Sequence, residues 1–241
     1  MNEYQRRTRP NIKKMAENKT LKKLTKAWFI ESARNKYSYH FTWLGRPVIQ
    51  YPQDILAIQE LIWNVKPDLI VETGIAHGGS LILSASILQM IGGEGKVIGI
   101  DVDIREHNRV AIEEHALYHR LELLEGSSID PDIIEAVKKR AAGKKVMVFL
   151  DSNHTESHVS KELALYSPIV SKASYLVVFD TIIEDMPDDF FHDRPWGIGN
   201  NPNTAVLKFL EKNNRFEIDK EMENKLLITV APNGYLKCIK D

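Results

Sequence analysis

Between residues 69 and 180, short unbroken apolar runs alternate with stretches whose apolar positions recur every three or four residues. Apolar runs without polar interruption mark strands buried on both faces, and the 3.6-residue spacing marks helices packed over them. The pattern predicts strands over 69–73, 96–101, 121–124, 145–151 and 174–180, and helices over 80–91, 105–115, 131–140 and 158–170. Asp130 stands at the N-cap position of the third helix. Strands of this kind, each followed by a helix, form a parallel sheet covered on both faces, and right-handed crossovers make it doubly wound. The tail differs. It predicts a helix over 204–213 and strands over 216–219, 225–230 and 235–239, with Asn233-Gly234 as a hairpin turn between the last two. The predicted fold class is therefore α/β, a doubly wound, mostly parallel Rossmann-like sheet with antiparallel strands at its C-terminal end.

Two segments fall outside this alternation. Residues 184–203 contain Pro187, Pro195, Gly197, Gly199 and Pro202 and read as a long loop, which in a compact domain is usually functional. Arg194 and Trp196 suit it to a substrate lid. Residues 1–36 hold eleven Lys or Arg against three Glu, and with a net charge of −1 overall the remainder stands at −9. Leu21, Leu24, Trp28 and Phe29 fall at helical spacing, so this basic arm is read as a solvated segment with one amphipathic helix docked on a single domain spanning 37–241. No interleaving of basic and aromatic residues supports a nucleic-acid partner. The amphipathic arm favours a homo-oligomer.

At 241 residues and 43% hydrophobic, the chain suits one sizeable core. It has no run of eighteen apolar residues and no apolar leader, so neither a transmembrane segment nor a secretory signal is expected, and the cytoplasm is the default compartment. The single cysteine, Cys238, rules out an internal disulfide and a cysteine-rich zinc site.

The candidate chemistry lies at the strand ends. Residues 69–80 read as a strand, a glycine-rich turn and a helix start, an arrangement that presents free backbone N–H groups to a nucleotide-like ligand. Gly74 is followed by three non-glycines before Gly78-Gly79, which is not the dinucleotide spacing. Glu72 before the turn suits a cationic ligand group, such as the sulfonium and amino group of S-adenosylmethionine, better than a pyrophosphate. Asp101, Asp151 and Asp180 close three further strands, so one sheet edge collects four carboxylates. Asp101 is placed for ribose hydroxyls, and Ser127 and Ser128 for the flank of an adenine. Asp151 and Asp180, closing strands expected to be neighbours, describe a Mg²⁺ site with Thr181 as a further oxygen. His154 is the candidate general base.

Several of these segments together resemble the cephalosporin hydroxylase family. They are Glu72-Thr73-Gly74 with Gly78-Gly79-Ser80, Gly99-Ile100-Asp101, Glu125-Gly126-Ser127-Ser128, Leu150-Asp151-Ser152-Asn153-His154, Val178-Phe179-Asp180-Thr181, and Arg194-Pro195-Trp196-Gly197 with Asn200-Asn201-Pro202. Despite its name, that family implies a class I S-adenosylmethionine methyltransferase fold, whose sheets end in an antiparallel addition, and it includes sugar O-methyltransferases. The metal-site layout is also similar to catechol O-methyltransferase, with Thr181 at the position of an amide ligand and His154 at that of a lysine base. The resemblance implies an O-methyltransferase in which Mg²⁺ on Asp151 and Asp180 binds an acceptor hydroxyl and His154 takes its proton. A hydroxylated sugar is the expected substrate, and the aromatic-rich residues 37–52 suit its C–H faces. Two alternatives stand beside this reading: an Fe(II) hydroxylase using His154, Glu156 and His192, and a non-catalytic S-adenosylmethionine-binding subunit of a biosynthetic complex.

Overall fold

Residues 3–241 are described in the computed structural model, Gln5 by its backbone alone. Met1 and Asn2, where the basic arm begins, lie outside the described residues. Helices α1 (Glu3–Glu17) and α2 (Lys19–Arg34) make up the arm, followed by a hairpin of β1 (Phe41–Trp43) and β2 (Arg46–Val48) and by helix α3 (Pro52–Val65). Then β3 (Leu69–Thr73), α4 (Gly79–Ile91), β4 (Lys96–Asp101), α5 (Glu106–Glu113), β5 (Leu121–Glu125), α6 (Pro131–Ala141), β6 (Val146–Leu150), α7 (Glu156–Tyr166) and β7 (Tyr175–Val178) alternate as the apolar runs predict. The chain closes with α8 (Pro202–Lys212), β8 (Phe216–Ile218), α9 (Lys220–Leu226) and β9 (Tyr235–Cys238).

The large sheet has the order β5-β4-β3-β6-β7-β9-β8. Strands β3 to β7 are parallel to their neighbours, and β9 runs antiparallel to both β7 and β8. Register aligns the strand ends: Thr73 lies opposite Ile100 and Leu150, Asp101 opposite Glu125, and Leu150 opposite Val178. The direction of winding reverses between β3 and β6, the crevice where open α/β sheets bind ligands. Side chains alternate across the sheet. Ile70 packs with Ile58 and Leu81 of α3 and α4, whereas Leu69 and Val71 pack with Ile134, Leu163 and Val206 of α6, α7 and α8. Burial on both faces is why these strands read as unbroken apolar runs. Asp130 caps α6 as expected, accepting from the Asp132 N–H.

The tail corrects the expectation. Residues 225–230 are not a strand. Asp219 accepts from the N–H groups of Glu221 and Met222 and starts α9, whose Met222 and Leu226, one turn apart, are buried. The apolar stretch after it is tied to α3, where the buried Asp54 carboxylate accepts from the Thr229 hydroxyl, the Val230 N–H and the Tyr235 hydroxyl. Asn233-Gly234 turns the chain into β9, which enters the sheet between β7 and β8. Hairpin β1–β2 and helix α3 have no counterpart in the sequence reading.

The arm is docked. Phe29 of α2 is buried and stacks on Tyr51, with ring centroids 4.6 Å apart and planes at 16°. Lys26 pairs with Asp185 at 3.2 Å, and Arg9 of α1 pairs with Glu221 of α9 at 2.7 Å. Among the described residues, no helix is long and apolar enough to cross a membrane.

Candidate active site

The β3–α4 turn is built by close packing. Gly74 holds φ at +89°, a conformation that disfavours a side chain, and a Cβ there would overlap the backbone carbonyl of Asp151. At Gly79 a Cβ would overlap the Pro47 carbonyl of the hairpin. These two glycines therefore admit neighbouring protein backbone, a different use from the ligand approach that the sequence suggested. Arg46 of β2 donates to the His77 carbonyl through Nε at 3.0 Å and through Nη2 at 2.6 Å, and Asn108 donates to the Ala76 carbonyl at 3.0 Å. The hairpin and α5 thus clamp the turn from outside the sheet.

Glu72 is 3% exposed. Its Oε1 accepts from the Ser80 hydroxyl, while Oε2 is buried without a partner among the described residues. Burial raises its pKa to about 7, with the Ser80 bond opposing the rise. Asp101 uses Oδ2 to accept from the N–H of Ile75 at 2.8 Å and of Ala76 at 3.3 Å, so it fixes the turn as well as facing the cleft.

Asp151 and Asp180 follow the neighbouring strands β6 and β7, and His154 lies in the turn after Asp151. One ligand atom from each of these three side chains lies within 4.8 Å of the others. His154 Nε2 is 3.1 Å from Asp180 Oδ2. Asp180 adopts the left-handed conformation, φ +55°, at the head of the turn that begins at Thr181. Desolvation first, and then the charges of Asp180, Glu72, Glu162 and Asp54, hold the Asp151 pKa well above the usual carboxylate range. A carboxylate so placed, whose one side-chain hydrogen bond among the described residues comes from Gln50 Nε2 at 3.4 Å, would be matched by a cation.

A cleft of about 1020 Å³ opens over this edge. Gly74, Ser80, Asp101, Asp151, His154 and Asp180 line it, whereas Glu72, Gly78, Ser127, Ser128 and Thr181 are not among its lining residues. The buried Thr181 hydroxyl donates to the Pro232 carbonyl at 2.5 Å, and His154 occupies the third place beside the two aspartates. Ser128 is also buried, its hydroxyl 3.1 Å from His158 Nε2. The iron-site alternative is not assembled. Glu156 is paired with Lys208 at 3.2 Å and accepts from Ser160, and His192 Nδ1 lies 3.2 Å from the Asp189 carbonyl.

The cleft also brings in residues that the sequence analysis did not single out one by one. Gln50 and Tyr51 line it, as do Phe29 and Arg34 of α2 and Phe190 of the 184–203 loop. Arg34 sits 5.9 Å from the Phe190 ring centroid, joining the arm to that loop. Trp196 of the expected lid meets the His154 ring edge-on at 4.8 Å, with Arg194 over its ring at 5.5 Å. The aromatic richness of residues 37–52 was the available signal for Tyr51; Gln50 had none.

A doubly wound sheet with a β3–α4 glycine turn and a carboxylate–histidine cluster at its C-terminal edge defines a class, the α/β folds that bind a nucleotide-like cofactor beside a metal-capable site. The family described as Rhamnosyl O-methyltransferase/CmcI matches residues 35–239, and the chain belongs to it. This bears out the resemblance to the cephalosporin hydroxylase family. The chain is 32% identical over 199 residues to the rhamnosyl O-methyltransferase of Mycobacterium tuberculosis (strain ATCC 25618 / H37Rv), covering 81% of this chain and 77% of that one. It is 28% identical over 198 residues to the enzyme of that name from Mycobacterium leprae (strain TN), with coverage of 81% and 82%. The fold is shared with CmcI solved with Mg and SAM, at TM-score 0.58 and 17% identity over 84% of this chain and 78% of that one. It is shared too with the O-methyltransferase from Bacillus cereus in complex with SAH, at TM-score 0.52 and 16% identity over 80% and 81%.

Proposed function

We propose that the chain is a Mg²⁺-dependent S-adenosylmethionine O-methyltransferase acting on a hydroxyl of a sugar. The observation that carries the reading is the meeting of Asp151, His154 and Asp180 within 4.8 Å, in a cleft that the β3–α4 turn also lines. Relatives named rhamnosyl O-methyltransferases and a CmcI structure with Mg and SAM support the choice of reaction, and the rhamnosyl name supports a sugar acceptor.

The residues present fit both groups. Two carboxylates with space left for water and substrate oxygens suit Mg²⁺, and the elevated proton affinity of Asp151 marks a site that lacks positive charge. The unpartnered Glu72 oxygen suits the cationic end of S-adenosylmethionine, and Asp101 suits its ribose. When bound, S-adenosylmethionine supplies an electrophilic methyl group, and the cation supplies a Lewis acid that acidifies the acceptor hydroxyl.

The chain's own residues do the rest. Asp151 and Asp180 would hold the cation, and Thr181 fastens the loop that carries Asp180 by donating to the Pro232 carbonyl. His154 Nε2 holds or receives a proton 3.1 Å from Asp180 Oδ2, and Trp196 fixes its ring from the side. Tyr51, Phe190 and Trp196 offer apolar faces to a sugar and help to exclude water. Alignment of acceptor and donor in one cleft then supplies much of the rate enhancement.

The purified chain, given S-adenosylmethionine, Mg²⁺ and a panel of rhamnosides and other glycosides, is expected to form S-adenosylhomocysteine with at least one acceptor. EDTA is expected to stop the reaction and Mg²⁺ to restore it. Turnover that survives EDTA refutes the metal requirement, and iron-dependent oxygen uptake in place of methyl transfer refutes the reaction itself.

A further inference from the structure

Helix α7 buries a carboxylate that the chemistry above does not use. Glu162 is fully buried, and burying a charge is costly without partners. Its Oε2 has no partner among the described residues, while Oε1 accepts from the Ser152 hydroxyl at 2.7 Å. One turn earlier on the same face, His158 Nε2 lies 3.6 Å from Glu162 Oε1, 3.3 Å from the Ser152 hydroxyl and 3.1 Å from the Ser128 hydroxyl. One turn later, the Tyr166 hydroxyl donates to the Ser128 carbonyl at 2.8 Å. Residues 158, 162 and 166 thus form a polar stripe on a helix whose Val159 and Leu163 are core. The stripe reaches two loops of the functional edge, the one after β5 and the one after β6.

Ser152 directly follows Asp151, so a hydroxyl fastened to α7 fixes the peptide that carries that carboxylate. The other end of the turn is closed by Asn153, whose Oδ1 accepts from the Thr155 N–H at 2.9 Å and from the Thr155 hydroxyl at 2.7 Å. His154 lies between these two anchors. We infer that Glu162, acting through the Ser152 hydroxyl with His158 bridging to Ser128, is a positioning residue that holds the 151–154 turn so that Asp151 and His154 converge with Asp180. The inference rests on the metal-site reading above. Supports behind a metal ligand typically change affinity 10- to 100-fold when removed.

The test uses the purified full chain, three single variants, Glu162→Gln, Glu162→Ala and Ser152→Ala, and the double variant Ser152→Ala/Glu162→Ala. Mn²⁺ affinity is measured by electron paramagnetic resonance, S-adenosylhomocysteine affinity by calorimetry, and thermal unfolding is followed alongside. Mn²⁺ affinity is expected to fall about 10- to 100-fold in Glu162→Ala and in Ser152→Ala. Glu162→Gln, which still accepts from Ser152, is expected to bind Mn²⁺ like the wild type. The double variant is expected to lose no more than the worse single one, since both remove one contact. S-adenosylhomocysteine affinity is expected to hold in all three. Should Glu162→Ala fail to fold, the exposed Ser152→Ala carries the comparison. Unchanged Mn²⁺ affinity in the alanine variants, a glutamine variant as weak as alanine, or additive losses would overturn the inference and leave the metal site standing. A wild type that takes up no Mn²⁺ overturns both.

Discussion

At the scale of single residues, Glu72 and His154 make the most direct claims. The Glu72 carboxyl, raised by burial to about 7, exceeds its unfolded value of 4.5, so the native chain holds that proton more tightly. Its contribution to stability is therefore full below about pH 4.5 and is lost as pH rises through 7. Glu72→Gln is expected to raise the stability of the unliganded chain at pH 8 by roughly 1–3 kcal/mol, with the gain fading towards pH 5. The same change is expected to weaken S-adenosylmethionine binding, because the proposed donor site would lose the carboxylate set against the cationic end of the ligand. Denaturant melts at the two pH values, paired with calorimetric titration, check both halves. A variant that gains nothing at pH 8 would show that the buried carboxyl is not under this strain. For His154→Ala, turnover is expected to drop about 10²- to 10⁴-fold with donor affinity kept, the range for losing a positioned base.

Elements explain what the sequence made legible. The five parallel strands were read with bounds close to those observed, because burial on both faces leaves an unbroken apolar signature. Three of the strand-end acids, Asp101, Asp151 and Asp180, were legible for a related reason, since a charged residue closing such a run falls at the C-terminal edge, whereas Glu72 stands buried inside β3. The tail and the hairpin were not legible. Residues 225–230 are apolar because they cross from α9 over α3, and an apolar run of that length looks the same in a strand. Strands β1 and β2 are three residues each, too short for alternation to register. What the glycines do was also hidden, because their neighbours come from elements distant in sequence. Gly79→Ala is expected to cost about 1–3 kcal/mol by pushing the hairpin off the turn, and to weaken S-adenosylhomocysteine binding. Gly197→Ala, whose Cβ would meet nothing within 4 Å, should stay within about 0.5 kcal/mol of wild type. Asp54→Ala leaves three buried donors without an acceptor and should destabilise by at least about 3 kcal/mol.

Across the whole molecule, the sheet order turns dispersed acids into one site. Residues 72, 101, 151 and 180 span more than a hundred positions, yet reversal of winding between β3 and β6 brings their strands side by side. The arm, read from sequence as a docked amphipathic helix, is two helices, and the second lends Phe29 and Arg34 to the cleft wall. The cleft therefore joins a wall built by the sheet to one built partly by a segment that precedes the family match at residue 35. The central claim, methyl transfer assisted by a cation on Asp151 and Asp180, is tested most directly with Asp180→Ala. Initial rates of S-adenosylhomocysteine formation at saturating Mg²⁺ should fall to background, while the dissociation constant for S-adenosylmethionine stays within about threefold of wild type, less than 1 kcal/mol. Turnover at the wild-type rate in that variant would contradict the account.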